Sequence, residues 1–306
     1  MWGKSKPLFR CAARILVLAW GALVVGIPGM APGEGAVLEA PLRVPLGNPF
    51  LVTLSSDLPL EDLELRWGGS ALSLDVESCS GGWVARGLLG TEAHTTKTGK
   101  APVEIRGREG GHAAVWKHRV TVLPREFGAV RLTLDEAYVT PPKKVLDRIA
   151  RERVLTAAVK ARRTLPQFWT LPLVRPVPGK ITGAYGKRYI LNGKPRSPHR
   201  GLDFRAPQGT EVRALAEGTV ALAGDHYYAG KSVYLDHGGG VISFYMHLSE
   251  IVVREGDRIS RGQTVGKSGA TGRSTGPHLH LGLCLQGKLV DPSPLFGPEK
   301  PSGETK

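Results

Sequence analysis

The sequence predicts a mainly β protein: an N-terminal β-sandwich, one linking helix and a C-terminal antiparallel β-sheet domain. Three observations carry this reading. Forty Gly and 23 Pro among 306 residues favour short strands joined by turns over long helices. Apolar and polar residues alternate with period two in short bursts, before residue 125 and again after residue 180, as half-buried strands do. Helical spacing of apolar residues is clear in one stretch, residues 141–163. The length suits roughly two domains.

Residues 1–36 read as an export signal. Lys4, Lys6, Arg10 and Arg14 form a basic start, and Ile15 to Ile27 is an uncharged, mostly apolar run of 13 residues. That run is short for a membrane span, which needs about 18 or more. Pro28 and Gly29 break it. The segment is either removed or kept as an anchor; both place the rest of the chain outside the cytoplasm, in the periplasm or cell envelope.

Residues 37–125 alternate in bursts such as Leu63-Glu64-Leu65-Arg66-Trp67, Ala71 to Val76 and Val115 to Val122. Turn-formers separate them: Gly47-Asn48-Pro49, Gly68-Gly69-Ser70, Gly81-Gly82 and Gly110-Gly111. This spacing predicts a small antiparallel sandwich of immunoglobulin-like size. His94, His112 and His118 are scattered and assemble no catalytic set, so a binding or positioning module is expected.

Residues 126–179 form the connection. Pro141 and Pro142 suit a helix start, and Leu146, Ile149, Ala150, Ala157 and Ala158 recur near helical spacing. Lys143, Lys144, Arg148, Arg151, Lys160, Arg162 and Arg163 occupy the other face. Such a helix packs its apolar face on the protein and solvates the rest, or lies on an anionic membrane. Pro166, Pro172, Pro176 and Pro178 then mark an extended linker.

Residues 180–296 return to short strands, with Val212 to Val220, Ser232 to Asp236 and Val241 to Tyr245 the clearest. Residues 297–306 are expected to be a disordered tail. Lys plus Arg is 41 against 27 Asp plus Glu, a formal net charge of +14. The excess is either a solvated basic surface or an attraction for polyanions such as an anionic cell wall or membrane. No aromatic-interleaved basic motif is present, so nucleic acid is not expected. Cys79 and Cys284, one in each domain, either pair or remain thiols.

Two short segments carry the chemistry. His199 and Asp203 stand four apart with Gly201 between them, and His278 and His280 stand two apart. Residues an even number apart share a strand face. If the two strands are neighbours, His199, Asp203 and His280 converge. Two His and one carboxylate, with the fourth position left to water, is a catalytic zinc arrangement, which makes a hydrolase the leading hypothesis. His247 and His278 are the candidates for proton transfer and for stabilising the charge that develops on the substrate. His226 and His237 are expected to be structural or exposed.

Other templates fit worse. No H-E-x-x-H occurs. Gly230-Lys231-Ser232 and Gly266-Lys267-Ser268 lack the glycine spacing of a phosphate loop. Gly272-Arg273-Ser274-Thr275-Gly276 matches a nucleophile elbow in letters, but Pro277 and a strand follow where a helix is required.

Four motifs, in order, identify a family. Pro198-His199-Arg200-Gly201-Leu202-Asp203, Gly209-Thr210-Glu211-Val212-Arg213-Ala214, Tyr245-Met246-His247-Leu248 and Gly272 through His280 resemble the lysostaphin-type, LytM-like zinc metallopeptidases over residues 180–293. The resemblance implies an antiparallel β-sheet metallopeptidase domain that cuts peptide stems or cross-bridges of bacterial peptidoglycan. It makes His199, Asp203 and His280 the zinc ligands and His247 and His278 catalytic. All five positions are filled, which implies an active enzyme. Which peptidoglycan bond is cut stays open.

Two rivals remain. One is a catalytically silent LytM-like regulator that activates another wall hydrolase, an envelope protein. The other is a carrier module, since Ala214 to Val220 is similar to lipoyl-type hairpins, which leaves the histidines without a task. Tyr185 and Arg188, just before the first ligand, are expected to line the groove. Whether the N-terminal domain or the helix covers that groove is open.

Overall fold

The computed structural model describes residues 35–79 and 81–298. The expected export segment, except residues 35–36, and the expected tail beyond residue 298 lie outside the described residues. The protein is mainly β, with 49% strand and 10% helix. Among the described residues no helix is long and apolar enough to cross a membrane.

Nine strands come first: β1 (Val37–Glu39), β2 (Arg43–Pro45), β3 (Pro49–Ser56), β4 (Leu60–Trp67), β5 (Ser70–Ser73), β6 (Val76–Cys79), β7 (Gly82–Gly90), β8 (Gly99–Glu109) and β9 (His112–Leu123). They form two sheets, ordered β1-β3-β7-β6 and β2-β9-β8-β4-β5. The alternation of β4 has the effect its pattern implies: Leu63, Leu65 and Trp67 are buried while Arg66 is exposed. They meet Val52, Leu54, Ile105 and Val120 from both sheets in one apolar core. The Trp67 indole donates to Gly90 O at 2.9 Å.

Two details depart from the expected antiparallel sandwich. The stretch Ala71 to Val76 is not one strand: β5 belongs to one sheet and β6 to the other, with buried Leu74 at the crossing. And β2 runs parallel to β9, because the chain passes from β1 across to the second sheet and enters it alongside β9.

The connecting region is structured throughout. It holds β10 (Ala129–Leu132), a one-turn α1 (Glu136–Val139) and α2 (Leu146–Lys160). The helix presents a different face from the one its apolar residues suggest. Leu146, Ala150, Ala157 and Ala158 are exposed, and Val159 is its one buried residue. Polar anchors decide the orientation: Arg148 Nη2 donates to Asp225 O at 2.9 Å, and Tyr227 N–H donates to Glu152 Oε2 at 2.8 Å. The Pro-rich stretch is packed rather than free. Trp169, Leu173 and Val177 are buried in the C-terminal core, and Leu173 N–H donates to Leu295 O at 2.7 Å.

The C-terminal strands are β11 (Ile181–Gly183), β12 (Arg188–Leu191), β13 (Lys194–Pro195), β14 (Leu202–Phe204), β15 (Glu211–Arg213), β16 (Gly218–His226), β17 (Gly230–Asp236), β18 (Val241–Ile251), β19 (Arg258–Ile259), β20 (Thr264–Ser268), β21 (Leu279–Leu285) and β22 (Lys288–Val290). The stretch Val212 to Val220 is therefore two strands, β15 and β16, with buried Ala214, Leu215 and Ala216 between them. Ten of these strands form one sheet whose main path is β11-β14-β21-β18-β17-β16-β19. β12 and β13 join β10 in a separate three-stranded sheet, with β10 parallel to β12.

The two halves share a core. Leu88 and Ala93 are buried among C-terminal residues. The Tyr185 hydroxyl accepts from Ala93 N–H at 2.9 Å and donates to Leu289 O at 2.6 Å. Arg125 reaches Asp291 Oδ2 through Nη1 and Nη2, both at 3.1 Å. Cys284 is a buried thiol near Lys160 O, and no disulfide joins the described cysteines.

Candidate metal centre

β14 and β21 are antiparallel neighbours, with Leu202, Asp203 and Phe204 opposite Leu281, His280 and Leu279. The four apolar residues are buried. Period-two alternation therefore turns Asp203 and His280 together onto the other face of the sheet.

His199 arrives by another route. It precedes β14 in irregular chain, so strand spacing does not position it. Backbone bonds do: His199 N–H donates to Lys187 O, and Gly186 N–H donates to His199 O, both at 2.8 Å. His199 Nδ1 lies 2.9 Å from Ala184 O. A carbonyl only accepts, so Nδ1 carries the proton and Nε2 presents a lone pair.

The three side chains converge. His199 Nε2 is 2.9 Å from Asp203 Oδ1 and 3.0 Å from His280 Nδ1, and His280 Nδ1 is 2.8 Å from Asp203 Oδ1. Burial opposes ionisation of Asp203, yet hydrogen bonding and charge from His199 and His280 hold its carboxyl far below the usual range. Burial lowers His280 in turn, although Asp203 pulls the other way. The three ligand atoms offer more lone pairs than protons, a mismatch that a cation resolves. A tetrahedral zinc with bonds near 2.1 Å needs donors roughly 3.4 Å apart. The donors here need to part by only a few tenths of an ångström, and the residues fit the ion.

Two glycines make the convergence possible. A Cβ on Gly201 would lie 2.3 Å from Leu281 O and 2.8 Å from His280 Nε2. A Cβ on Gly183, in β11, would lie 2.2 Å from Asp203 Oδ2. Both positions need the missing side chain for space.

His247 and His278 stand beside this group. Met246, not His247, is the register partner of His280. A regular strand would therefore turn His247 to the far face. The backbone at His247 has φ +63°, and its ring comes within 4.8 Å of the His278 ring and 6.1 Å of the His280 ring, between centroids. His247 Nδ1 is 2.9 Å from Thr271 O and His278 Nδ1 is 2.8 Å from Gly276 O. By the same logic as for His199, both rings keep Nε2 free to take a proton. His278 Nε2 is 3.8 Å from Asp203 Oδ1. Burial, then the neighbouring His280 and His278, push His247 down to about 3, so its ring is neutral near pH 7.

These residues sit in a cleft of about 930 Å³. One wall is α2, through Ile149, Glu152, Arg153 and Thr156. The expectation for Tyr185 and Arg188 fails. Tyr185 is 2% exposed, and its hydroxyl is spent on the inter-domain bonds described above. Arg188 is an exposed residue of the small β10-β12-β13 sheet. Tyr189 and Arg273 line the cleft instead, with the Tyr189 ring 5.3 Å from that of His199. Burial and the Asp203 charge push the Tyr189 phenol up. Sequence reasoning missed Tyr189 and Gly183; a lone glycine in a strand was the one signal for the latter. His226 bonds Ser232, and His237 bonds Glu217 O and Ser243, as structural residues do.

The pattern of peptidase family M23 matches residues 197–292. Over 95 residues the chain is 46% identical to the peptidoglycan DD-endopeptidase ShyA of Vibrio cholerae, covering 31% of this chain and 22% of that protein. It is 44% identical over 94 residues to the DD-carboxypeptidase/endopeptidase Mpg of Neisseria meningitidis, again 31% and 22%. The chain thus spans under a quarter of the length of either curated relative. A solved structure described as a peptidase M23 from Pseudomonas aeruginosa is 30% identical, with a TM-score of 0.62 over 84% of this chain and 96% of that one.

Proposed function

The chain belongs to peptidase family M23, and from that premise we propose that it is a zinc-dependent endopeptidase hydrolysing peptide cross-links or stems of bacterial peptidoglycan. The observation that carries the reading is the meeting of His199, Asp203 and His280 within 3.0 Å, beside two histidines with free Nε2 atoms. The name of the Vibrio cholerae relative supports the substrate class.

His199 Nε2, Asp203 and His280 Nδ1 would hold the ion. Zinc there supplies Lewis acidity, which brings a water's pKa toward about 7 and polarises the scissile carbonyl. The chain's own residues do the rest. Neutral His247 accepts a proton at Nε2, because its Nδ1–H is committed to Thr271 O. A protonated ring at His247 or His278 donates to the charge developing on the carbonyl oxygen and then delivers its proton to the leaving nitrogen. The cleft walls, with Tyr189 and α2, orient the peptide.

Digestion of purified cross-linked sacculi, with and without chelator, followed by mass analysis of the products tests this. Chelator-sensitive release of cleaved muropeptides is expected. Intact sacculi after incubation with zinc-loaded protein would refute it and leave the regulator reading.

A further inference from the structure

The cleft continues past the metal centre. Between the C-terminal end of α2 and the loop after β7 lies a second pocket of about 350 Å³. Lys160, Arg163 and Arg200 line it together with Glu92. Lys160 and Arg200 border the large cleft too, so the two spaces share a wall. Arg200 directly follows the ligand His199.

Three cations thus face one carboxylate. Among the described residues, no carboxylate lies within ion-pair distance of any of the three. Burial lowers the pKa of Lys160 and Arg163; at Lys160 the Cys284 and Glu92 side chains oppose this and Arg200 adds to it. Part of the cluster has a local reason. Arg163 Nη1 donates to Lys160 O at 3.3 Å and Arg162 O at 2.7 Å, completing the end of α2. A helix end presents only about half a negative charge, which accounts for one cation and not for three.

We propose that this pocket binds a carboxylate of the substrate peptide and so selects which peptides reach the metal centre. The identity of the ligand rests on the endopeptidase reading; the pocket does not. A peptide in the cleft extends past Arg200 into the pocket, and a carboxylate is the anion a peptide carries. The forked guanidinium group of Arg200 matches a carboxylate's two oxygens, while Arg163 stays with the helix end. Lys160 adds a point charge at the wall the two spaces share.

The test uses the full chain, a stem peptide with a free C-terminal carboxylate, and the same peptide as its carboxamide. Calorimetry on zinc-stripped protein is expected to show the acid binding about tenfold tighter than the amide, the effect of one charge-assisted contact. In the double variant K160Q/R200Q, which removes the two cations that border both spaces, the two peptides are expected to bind equally, with the melting temperature unchanged; K160R alone keeps the preference. Equal or absent binding to the unsubstituted chain, or a preference that survives K160Q/R200Q, overturns the proposal. So does binding of inorganic phosphate that the acid peptide cannot displace. Hydrolysis is measured separately with zinc restored. A chain that cuts acid and amide alike refutes the pocket alone, and one that binds the acid selectively but cuts neither refutes the endopeptidase reading alone.

Discussion

Asp203 and His280 are register partners on adjacent antiparallel strands, and Oδ1 of one lies 2.8 Å from Nδ1 of the other. The sheet ladder therefore brings together a proposed ligand from each of two distant segments. His280→Ala leaves the ladder intact and removes one donor. Zinc content is expected to fall from about one per chain to near zero, and sacculus cleavage by more than about 100-fold. Metal analysis and muropeptide release check both; a variant that retains either contradicts the ligand assignment.

Gly201→Ala adds one methyl group against Leu281 O and the His280 ring. The carbonyl belongs to β21 and cannot rotate away, so β14 and β21 must part. A stability loss of about 1–3 kcal/mol is expected, with weakened zinc affinity. Gly224→Ala, whose new atom would meet nothing nearer than 3.6 Å, is the control.

The buried His247 couples folding to pH. Its pKa in the folded chain is about 3, against an ordinary 6.5. Between these values the unfolded chain binds a proton that the folded chain refuses. Stability is therefore intact above pH 6.5 and falls as pH drops toward 3. The loss from this group is about 1.4 kcal/mol per pH unit. Urea unfolding of zinc-stripped protein across this window should show the slope, and His247→Gln should remove about one proton's worth of it.

Arg125 ties the sandwich to the C-terminal domain through Asp291, which is 3% exposed. Arg125→Leu leaves that carboxylate with Ser293 N–H and Oγ as its remaining partners. A cost of about 1–2 kcal/mol is expected. Denaturant unfolding should move to lower concentration as a single transition, because Leu88 and Ala93 still share the other core.

The mainly β class and the pairing of Asp203 with His280 were legible because both rest on period-two alternation, whereas His199 was reached by a strand spacing that it does not have, since it lies in irregular chain. What needed the structure depends on how segments meet. The helix pattern at Leu146, Ala150, Ala157 and Ala158 suggested a buried face, yet Arg148 and Glu152 chose the orientation through partners 75 or more residues away. Tyr185 read as a groove residue because it precedes His199, but its hydroxyl is consumed by Ala93 and Leu289. The turn of His247 toward His280 depends on one positive φ that no spacing rule reveals.

The buried positions of Trp169, Leu173 and Val177 set where this protein can be shortened. A chain begun at residue 180 would keep His199, Asp203, His247, His278 and His280, and would still be an unsound excision. It would uncover a greasy furrow along the sheet and strip hydrogen-bond partners from Leu295 and Leu215. The smallest fragment able to stand alone begins upstream of Trp169, so the prolines after α2 are a seam sewn into the fold rather than a place to cut.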